Sequence, residues 1–225
     1  MLSDRFPQRI VRFLDDGSLS EPAGDRPVAF VHINKTAGTT FSRYLSEHFP
    51  GANAVAPPFF GDFDEMGIHD TERRLFQGHF TYAQFAAQRS DVLFISCLRD
   101  PVQRVISQYR SLHNPHNVGG GWEKVLPPHA RKALKFAQQA NFEDFVTSED
   151  PFIVGHLLDL QTRCLSSFPD VSDERFVMSA KQNLERSLLF FGITESFDES
   201  IRLFQYQMGS QRPYVVEDHQ RNISQ

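Results

Sequence analysis

Residues 32–41, HINKTAGTTF, join an apolar run to an amphipathic stretch, and this junction determines the predicted fold. The run VAFVHI, residues 28–33, is mostly apolar and β-branched, which predicts a strand buried on both faces of a parallel sheet. From Thr39 to Phe49 apolar residues recur at helical spacing, and the Pro-Gly pair at 50–51 ends that helix. The sequence therefore predicts a strand, a short loop and the N-terminus of a helix.

The same alternation of strands and helices continues along the chain. Further strands are predicted at 74–80, 91–98 and 188–193, and further helices at 82–88, 101–112, 128–139, 142–148, 152–162, 173–187 and 197–208. Residues 52–70 and 113–122 lack a clear period and are predicted to be loops. Apolar strands that alternate with amphipathic helices indicate an α/β fold, in which helices flank a mainly parallel central sheet. With no internal repeat or linker visible, we predict one domain over residues 1–225, with its core at 28–208.

The composition narrows the possible functions. The 225 residues carry a net charge of −5, so we expect no general nucleic-acid surface, and local cations and backbone amides must hold any anionic ligand. No stretch reaches the ~18 apolar residues of a membrane span, and residues 1–16 are too polar for a signal-peptide core. We therefore expect a soluble, cytoplasmic protein, and the sequence leaves its oligomeric state open. Of the two cysteines, Cys97 and Cys164, the first lies in an apolar run and is predicted to be a buried free thiol.

The loop NKTAGTT, residues 34–40, has the features of an anion site. Ala37 and Gly38 let the backbone approach an oxyanion, and the amides and dipole of the new helix favour negative charge. Lys35 adds a mobile cation. Hydroxyl donors are supplied by Thr36, Thr39 and Thr40. A plain strand-to-helix turn with a surface lysine is the alternative that this loop alone leaves open.

A second candidate anion site follows the strand predicted at 91–98. Arg99 leaves the sheet just before a helix that Asp100 caps and Pro101 begins. Its guanidinium can hold a phosphate through two parallel hydrogen bonds. The alternative is a local ion pair between Arg99 and Asp100.

The helix that follows Arg99 has a predicted polar side and a predicted buried side. Ser107 lies about two turns into the helix, on the polar side with Gln103 and Arg104. The predicted buried stripe is formed by Val102, Val105, Ile106, Tyr109 and Leu112. Because the carboxyl ends of parallel strands meet at one edge of a sheet, the two loops predict a ligand with two phosphate-like groups. Adenosine 3′-phosphate 5′-phosphosulfate (PAPS) is such a ligand.

These motifs resemble those of the carbohydrate sulfotransferases related to the heparan-sulfate 2-O- and 6-O-sulfotransferases. The segment FVHINKTAGTTF resembles their donor loop, H-I-x-K-T-[AG]-[GS]-T-[ST], and CLRDPVQRVISQYR resembles their second motif, L-R-D-P-x-x-R-x-x-S-x-[YW]. The segments GHFTYAQF, DLQTRCL and FFGITESFDESIRLF are also similar to family segments. The resemblance covers Val28–Met208 and implies a P-loop-type, three-layer α/β fold. It also implies a PAPS-dependent sulfotransferase.

The resemblance also implies roles for individual residues. The 5′-phosphosulfate would be bound by the donor loop, with Lys35 at the bridging oxygen. The loop residues concerned are Lys35, Thr36, Ala37, Gly38, Thr39 and Thr40. Arg99 and Ser107 would bind the 3′-phosphate, and His79 would be the general base. The resemblance implies that the partner is a hydroxyl-bearing acceptor and points to a glycan. No metal is expected. Gln77 stands where some relatives have a second histidine, so we expect no two-histidine arrangement.

Two other functions remain open on the residues alone. A nucleotide kinase or ATPase would also hold phosphate in the first loop. Its pattern, G-x-x-x-x-G-K-[ST], is not matched, because the lysine comes three residues before the single glycine of the loop. A non-catalytic nucleotide-binding module would keep both loops without needing His79, which would then be a structural hydrogen-bonding residue.

Overall fold

The computed structural model describes residues 26–49, 53–55, 63, 67–113 and 126–208. Within these ranges five strands form one sheet, in which every pairing is parallel. The strands are β1 (Val28–Val31), β2 (Asn53–Val55), β3 (Leu75–Gly78), β4 (Leu93–Leu98) and β5 (Leu188–Ile193). Their order is β2-β3-β1-β4-β5, so β1 lies at the centre of the sheet.

The described helices connect these strands and cover the sheet. They are α1 (Gly38–His48), α2 (Tyr82–Ala86), α3 (Pro101–His113), α4 (Pro128–Gln139), α5 (Phe142–Val146), α6 (Pro151–Leu157), α7 (Leu160–Leu165), α8 (Phe176–Gln182) and α9 (Phe197–Gln207). No helix in the described ranges is long and apolar enough to cross a membrane. The predicted α/β architecture, a parallel sheet flanked by helices, is confirmed.

Each face of the sheet carries its own hydrophobic core, because successive side chains of a strand point to opposite faces. Val31 packs in one core with Phe85 of α2. Phe30 packs in the other core with Phe41 of α1 and Phe204 of α9. The ring of Phe41 lies edge-on to both partners, with centroids 5.1 Å from Phe30 and 5.2 Å from Phe204. Helices on both faces give the three layers expected from the sequence.

Some element predictions are wrong in detail. Strand β2 lies within the predicted loop at 52–70, because three residues are too few to show a period. The single helix predicted at 152–162 is two helices, α6 and α7, separated where Asp159 adopts a left-handed backbone with φ of 48°. The helix predicted at 173–187 begins at Phe176 and ends in a π-helical turn. The predicted loop at 113–122 lies outside the described residues apart from its first residue, which ends α3.

Helix α3 buries part of its predicted apolar stripe, with Tyr109 and Leu112 packed against a buried cluster, and it also buries two polar residues. Its start is as predicted, because the carboxylate of Asp100 accepts a hydrogen bond from the backbone N–H of Gln103 at 2.9 Å. Val102, however, is 62% exposed, whereas Arg104 is 1% and Gln108 9% exposed. Arg104, which was predicted on the polar side of the helix with Ser107, is therefore a buried residue.

Both cysteines are free and buried, as predicted for Cys97. Burial raises the pKa of the Cys97 and Cys164 thiols to about 12. Neither side chain is therefore available as a thiolate near neutral pH.

Candidate functional site

The candidate site lies at the carboxyl edge of the sheet. Because all pairings are parallel, the segments that follow β1, β3, β4 and β5 leave the sheet at this one edge. They carry His32, His79, Arg99 and Thr194, respectively. The hydroxyl of Thr194 donates to the carbonyl oxygen of Leu98 at 2.8 Å, which ties the segment after β5 to the end of β4.

The loop between β1 and α1 turns sharply and leaves the start of the helix open. Lys35 and Ala37 have left-handed backbones, with φ of 71° and 61°. The hydroxyl of Thr36 is buried and donates to the carbonyl oxygen of Ile33 at 2.9 Å, so it braces the loop instead of facing a ligand. Ala37 is the N-cap of α1 and makes no side-chain cap. The N–H groups of Gly38, Thr39 and Thr40 in the first turn are therefore oriented for an anion.

Gly38 is required by close packing against His32. A Cβ at Gly38 would lie 2.0 Å from Cδ2 and 2.1 Å from Nε2 of the His32 ring. The same ring also contacts the ring of His79, with centroids 4.4 Å apart. Burial, together with the charges of His79 and Lys35, lowers the pKa of His32 to about 3, so this ring is a neutral packing group.

Two cations come together beside the open helix start. Lys35 Nζ donates to the hydroxyl of Ser111 in α3 at 2.5 Å, and Arg99 Nη1 donates to the carbonyl oxygen of Lys35 at 3.3 Å. Burial and the charge of Arg99 both lower the pKa of Lys35. An anion bound here would offset this repulsion.

Ser107 was predicted to bind the 3′-phosphate, whereas Ser111 was not predicted to belong to the site. The two residues are four positions apart, so they lie on the same side of α3. Ser107 and Ser111 are both partly buried. The i, i+4 spacing in the sequence was the signal that could have identified Ser111.

Arg99 is fixed by residues from two other segments. Gln161 of α7 pairs with its main chain, through hydrogen bonds of 2.8 Å to the N–H and 2.8 Å to the carbonyl oxygen. Glu195 Oε1 accepts from the N–H of Asp100 at 3.1 Å and lies 3.8 Å from Arg99 Nε. That Nε is buried and has no hydrogen-bond partner among the described residues. Neither Gln161 nor Glu195 was predicted, because each acts from a distant part of the sequence.

His79 follows β3 and is held in one orientation. Its Nδ1 donates to the carbonyl oxygen of His32 at 2.7 Å. Since a carbonyl oxygen can only accept, the neutral ring carries its proton on Nδ1 and keeps a lone pair on Nε2. Burial lowers the pKa of His79 most, the carbonyl contact opposes this, and the charges of His156 and Lys35 lower the pKa further. The ring is thus neutral at pH 7.

His156, in the last turn of α6, was not among the residues predicted for the site. A positive charge on His156 lowers the pKa of His79, and burial lowers the pKa of His156 itself. Its Nδ1 donates to the carbonyl oxygen of Phe152 at 2.7 Å. We expected no two-histidine arrangement because Gln77 stands where some relatives have a second histidine. That expectation concerned this one position and not a histidine from another helix.

The chain is similar to known sulfotransferases. The sequence model of the sulfotransferase family matches residues 23–220, which is most of the chain. No curated protein matches the sequence.

Two solved structures are similar in fold. The crystal structure of mouse sulfotransferase SULT7A1 complexed with PAP is 13% identical, with a TM-score of 0.48, over 87% of this chain and 62% of that chain. The chain thus spans less than two thirds of the length of that mouse protein. The crystal structure of a sulfotransferase from Alicyclobacillus acidocaldarius is 16% identical, with a TM-score of 0.42, over 85% of this chain and 87% of that chain.

Proposed function

The chain belongs to the sulfotransferase family, and we propose that it transfers a sulfuryl group from PAPS to a hydroxyl of a carbohydrate acceptor. The observation that carries the proposal is the meeting of Lys35, Arg99 and the open N-terminus of α1 at one edge of the sheet. These groups provide two neighbouring places for anions, and PAPS carries two anionic groups on one nucleoside.

The donor-binding roles follow from the positions of these groups. The first-turn N–H groups of α1, from Gly38 to Thr40, would hold the 5′-phosphosulfate, aided by the main chain at Thr36 and Ala37. Arg99 would hold the 3′-phosphate, and the buried Nε without a partner among the described residues supports this assignment. Ser107, on the side of α3 that carries Ser111, would add a hydroxyl donor.

Bound PAPS supplies a sulfuryl group attached to a phosphate that can leave. By analogy with phosphoryl transfer, alignment and charge stabilisation dominate the catalysis. Lys35 would release Ser111 and donate to the oxygen that bridges sulfur and phosphorus, where negative charge grows in the transition state.

His79 would remove the proton of the attacking hydroxyl. The neutral ring presents the Nε2 lone pair because Nδ1 is committed to the carbonyl oxygen of His32. A general base of this kind contributes about 10²–10⁴-fold to the rate. The proton would move to Nε2 as the new oxygen–sulfur bond forms, while the bond between sulfur and the bridging oxygen breaks and the nucleotide leaves with that oxygen on its 5′-phosphate.

The donor assignment is tested by thermal unfolding with adenosine 3′,5′-bisphosphate (PAP). We expect PAP to raise the melting temperature without a divalent metal, and Mg·ATP to raise it less. Stabilisation by Mg·ATP alone would favour a kinase or ATPase instead. Transfer itself is tested with ³⁵S-labelled PAPS and a panel of glycan, lipid and small-alcohol acceptors, and labelling of lipids alone would contradict a carbohydrate acceptor.

A further inference from the structure

Helix α3 presents a stripe of polar side chains to the protein interior. Arg104, Gln108 and Ser111 are spaced by four and three residues, which places them along one side of the helix over about 10 Å. Arg104 is 1% and Gln108 9% exposed. The inward side of a helix is normally apolar, so this stripe borders a polar part of the molecule.

The stripe connects the donor loop with helix α6. At one end, Ser111 accepts the hydrogen bond from Lys35. At the other end, Arg104 Nη2 donates to the carbonyl oxygens of His156 and Leu157 at 2.8 and 2.9 Å. These carbonyls form the C-terminus of α6, where a cation is favourable, so Arg104 fixes His156 beside α3. Gln108 lies between the two ends.

Two buried atoms of the stripe have no hydrogen-bond partner among the described residues. They are Arg104 Nη1, which is a donor, and Gln108 Oε1, which is an acceptor. Buried polar atoms of native proteins nearly always bond to protein, water or ligand. A donor and an acceptor one helical turn apart therefore indicate a partner that can both accept and donate.

Two imidazoles extend the same polar surface. His79 and His156 each commit Nδ1 to a main-chain carbonyl oxygen at 2.7 Å. Each neutral ring therefore presents Nε2 as an acceptor. Arg104 holds the main chain of His156 at one end of the stripe, and the His79 ring lies 4.4 Å, centroid to centroid, from His32 beside the start of α1. The lowering of the pKa of His79 by the charge of His156 agrees with this arrangement.

We propose that Arg104, Gln108 and His156 form a subsite that binds a second hydroxyl of the acceptor, adjacent to the hydroxyl activated by His79. A hydroxyl can accept from Arg104 Nη1 and donate to Gln108 Oε1 or His156 Nε2. A carboxylate could pair with Arg104 but could not donate to the other two. The preferred acceptor therefore carries neighbouring hydroxyls. This inference rests on the proposed function, because it takes His79 as the base.

Ligand-observed saturation-transfer NMR tests the subsite separately from the donor. One probe is methyl β-D-glucopyranoside, which has adjacent ring hydroxyls, and the other is tetrahydropyran-4-ol, a ring of the same size with one hydroxyl. We expect PAP-loaded wild-type protein to bind the glucoside at least ~5-fold more tightly than the mono-alcohol. Thermal unfolding with PAP is measured on the same samples, so absence of PAP binding identifies failure of the proposed function.

Two variants localise the binding. Gln108→Met keeps the side-chain length without the amide, and we expect it to bind the glucoside ~5-fold or more weakly while PAP still stabilises it. The matched control is Gln103→Met on the exposed side of the same helix, which should bind both probes as the wild type does. His156→Phe keeps a ring beside Phe152 and should also weaken glucoside binding, which preserves the test if Gln108→Met does not fold. Equal binding of both probes by the wild type, or wild-type glucoside binding by both variants, would overturn the proposal.

Discussion

The imidazole of His32 occupies the space that any side chain at Gly38 would need, with its Cδ2 atom 2.0 Å from the position of a Cβ. The same ring lies 4.4 Å from the ring of His79, centroid to centroid. One neutral side chain therefore contacts both the start of α1 and the proposed base. The distance between donor and base depends on this packing.

Gly38→Ala should disturb this spacing. The added methyl must displace the His32 ring or the helix start, so we expect a lower melting temperature and a transfer rate reduced ~10²-fold. Combining it with His32→Ala makes room for the methyl. A double-mutant cycle should then show that Gly38→Ala lowers the melting temperature and the PAP affinity less in the His32→Ala background than in the wild type. Purely additive effects would contradict the steric explanation.

The two proposed donor cations should have different kinetic roles. Arg99→Ala removes a charge-assisted contact made in the ground state, so PAP affinity should fall. Lys35→Ala removes a contact that strengthens as charge develops, so kcat should fall more than PAP affinity. Calorimetric titration with PAP and steady-state kinetics separate these effects, with Lys132→Ala on the exposed side of α4 as the control. Equal losses of affinity alone in both variants would refute the role assigned to Lys35.

Glu195 should weaken the proposed 3′-phosphate site by its charge. Its Oε1 lies 3.8 Å from Arg99 Nε and accepts from the N–H of Asp100. Glu195→Gln removes the negative charge and keeps an acceptor, so PAP affinity should rise ~2–5-fold at low salt and less at high salt. Glu199→Gln, an exposed change in the first turn of α9, should have little effect. Weaker PAP binding by Glu195→Gln would instead indicate that the carboxylate supports the site.

His79→Ala should separate the proposed base from a structural histidine. We expect a variant that folds, binds PAP as the wild type does, and transfers sulfate ~10²-fold or more slowly. The pKa of His79 in the folded protein lies below the ordinary histidine value of 6.5. The wild-type rate should therefore fall only when the pH drops below 6.5 and the ring becomes protonated, and the variant should not show this decrease. His69→Ala, at an exposed position, is the control. A stable variant with near wild-type turnover would remove His79 from the mechanism.

The buried neutral His32 should make stability depend on pH. The pKa of His32 is about 3 in the folded protein, whereas the ordinary value, which we take for the unfolded chain, is 6.5. Between these values the unfolded chain binds more protons, so unfolding free energy should decrease as the pH falls, by up to about 1.4 kcal/mol per pH unit. His79 and His156, whose pKa values are also lowered, add to the same trend. Urea unfolding at several pH values should show a shallower dependence for His32→Asn, and an unchanged slope would contradict the prediction.

The sequence predicted those features that depend on local patterns. The strand at Val28–Val31 and the loop after it follow from a continuous apolar run and a glycine near a new helix. The start of α3 follows from Asp100 and Pro101, and Arg99 lies at the predicted strand end. The assignment to a sulfotransferase family came from two motifs in the correct order and is confirmed by the family match.

The features that were missed depend on tertiary contacts. The burial of Arg104 was not predicted, because a buried arginine looks like a surface residue until its carbonyl partners in α6 are known. Gln161 and Glu195 reach Arg99 from segments far along the chain. No local period or spacing in a single sequence contains these relationships.

The position of β1 has a consequence for how the protein is made. It is the earliest described strand, yet it is central, and its neighbours begin at Leu75 and Leu93. During synthesis at about 5–20 residues per second, the apolar run VAFV must remain without its strand partners for some seconds. Contacts this distant in sequence also slow folding. The nascent chain is thus exposed to aggregation before the residues of β4 emerge, and soluble yield should improve when translation is slowed by cooling or when chaperones are abundant.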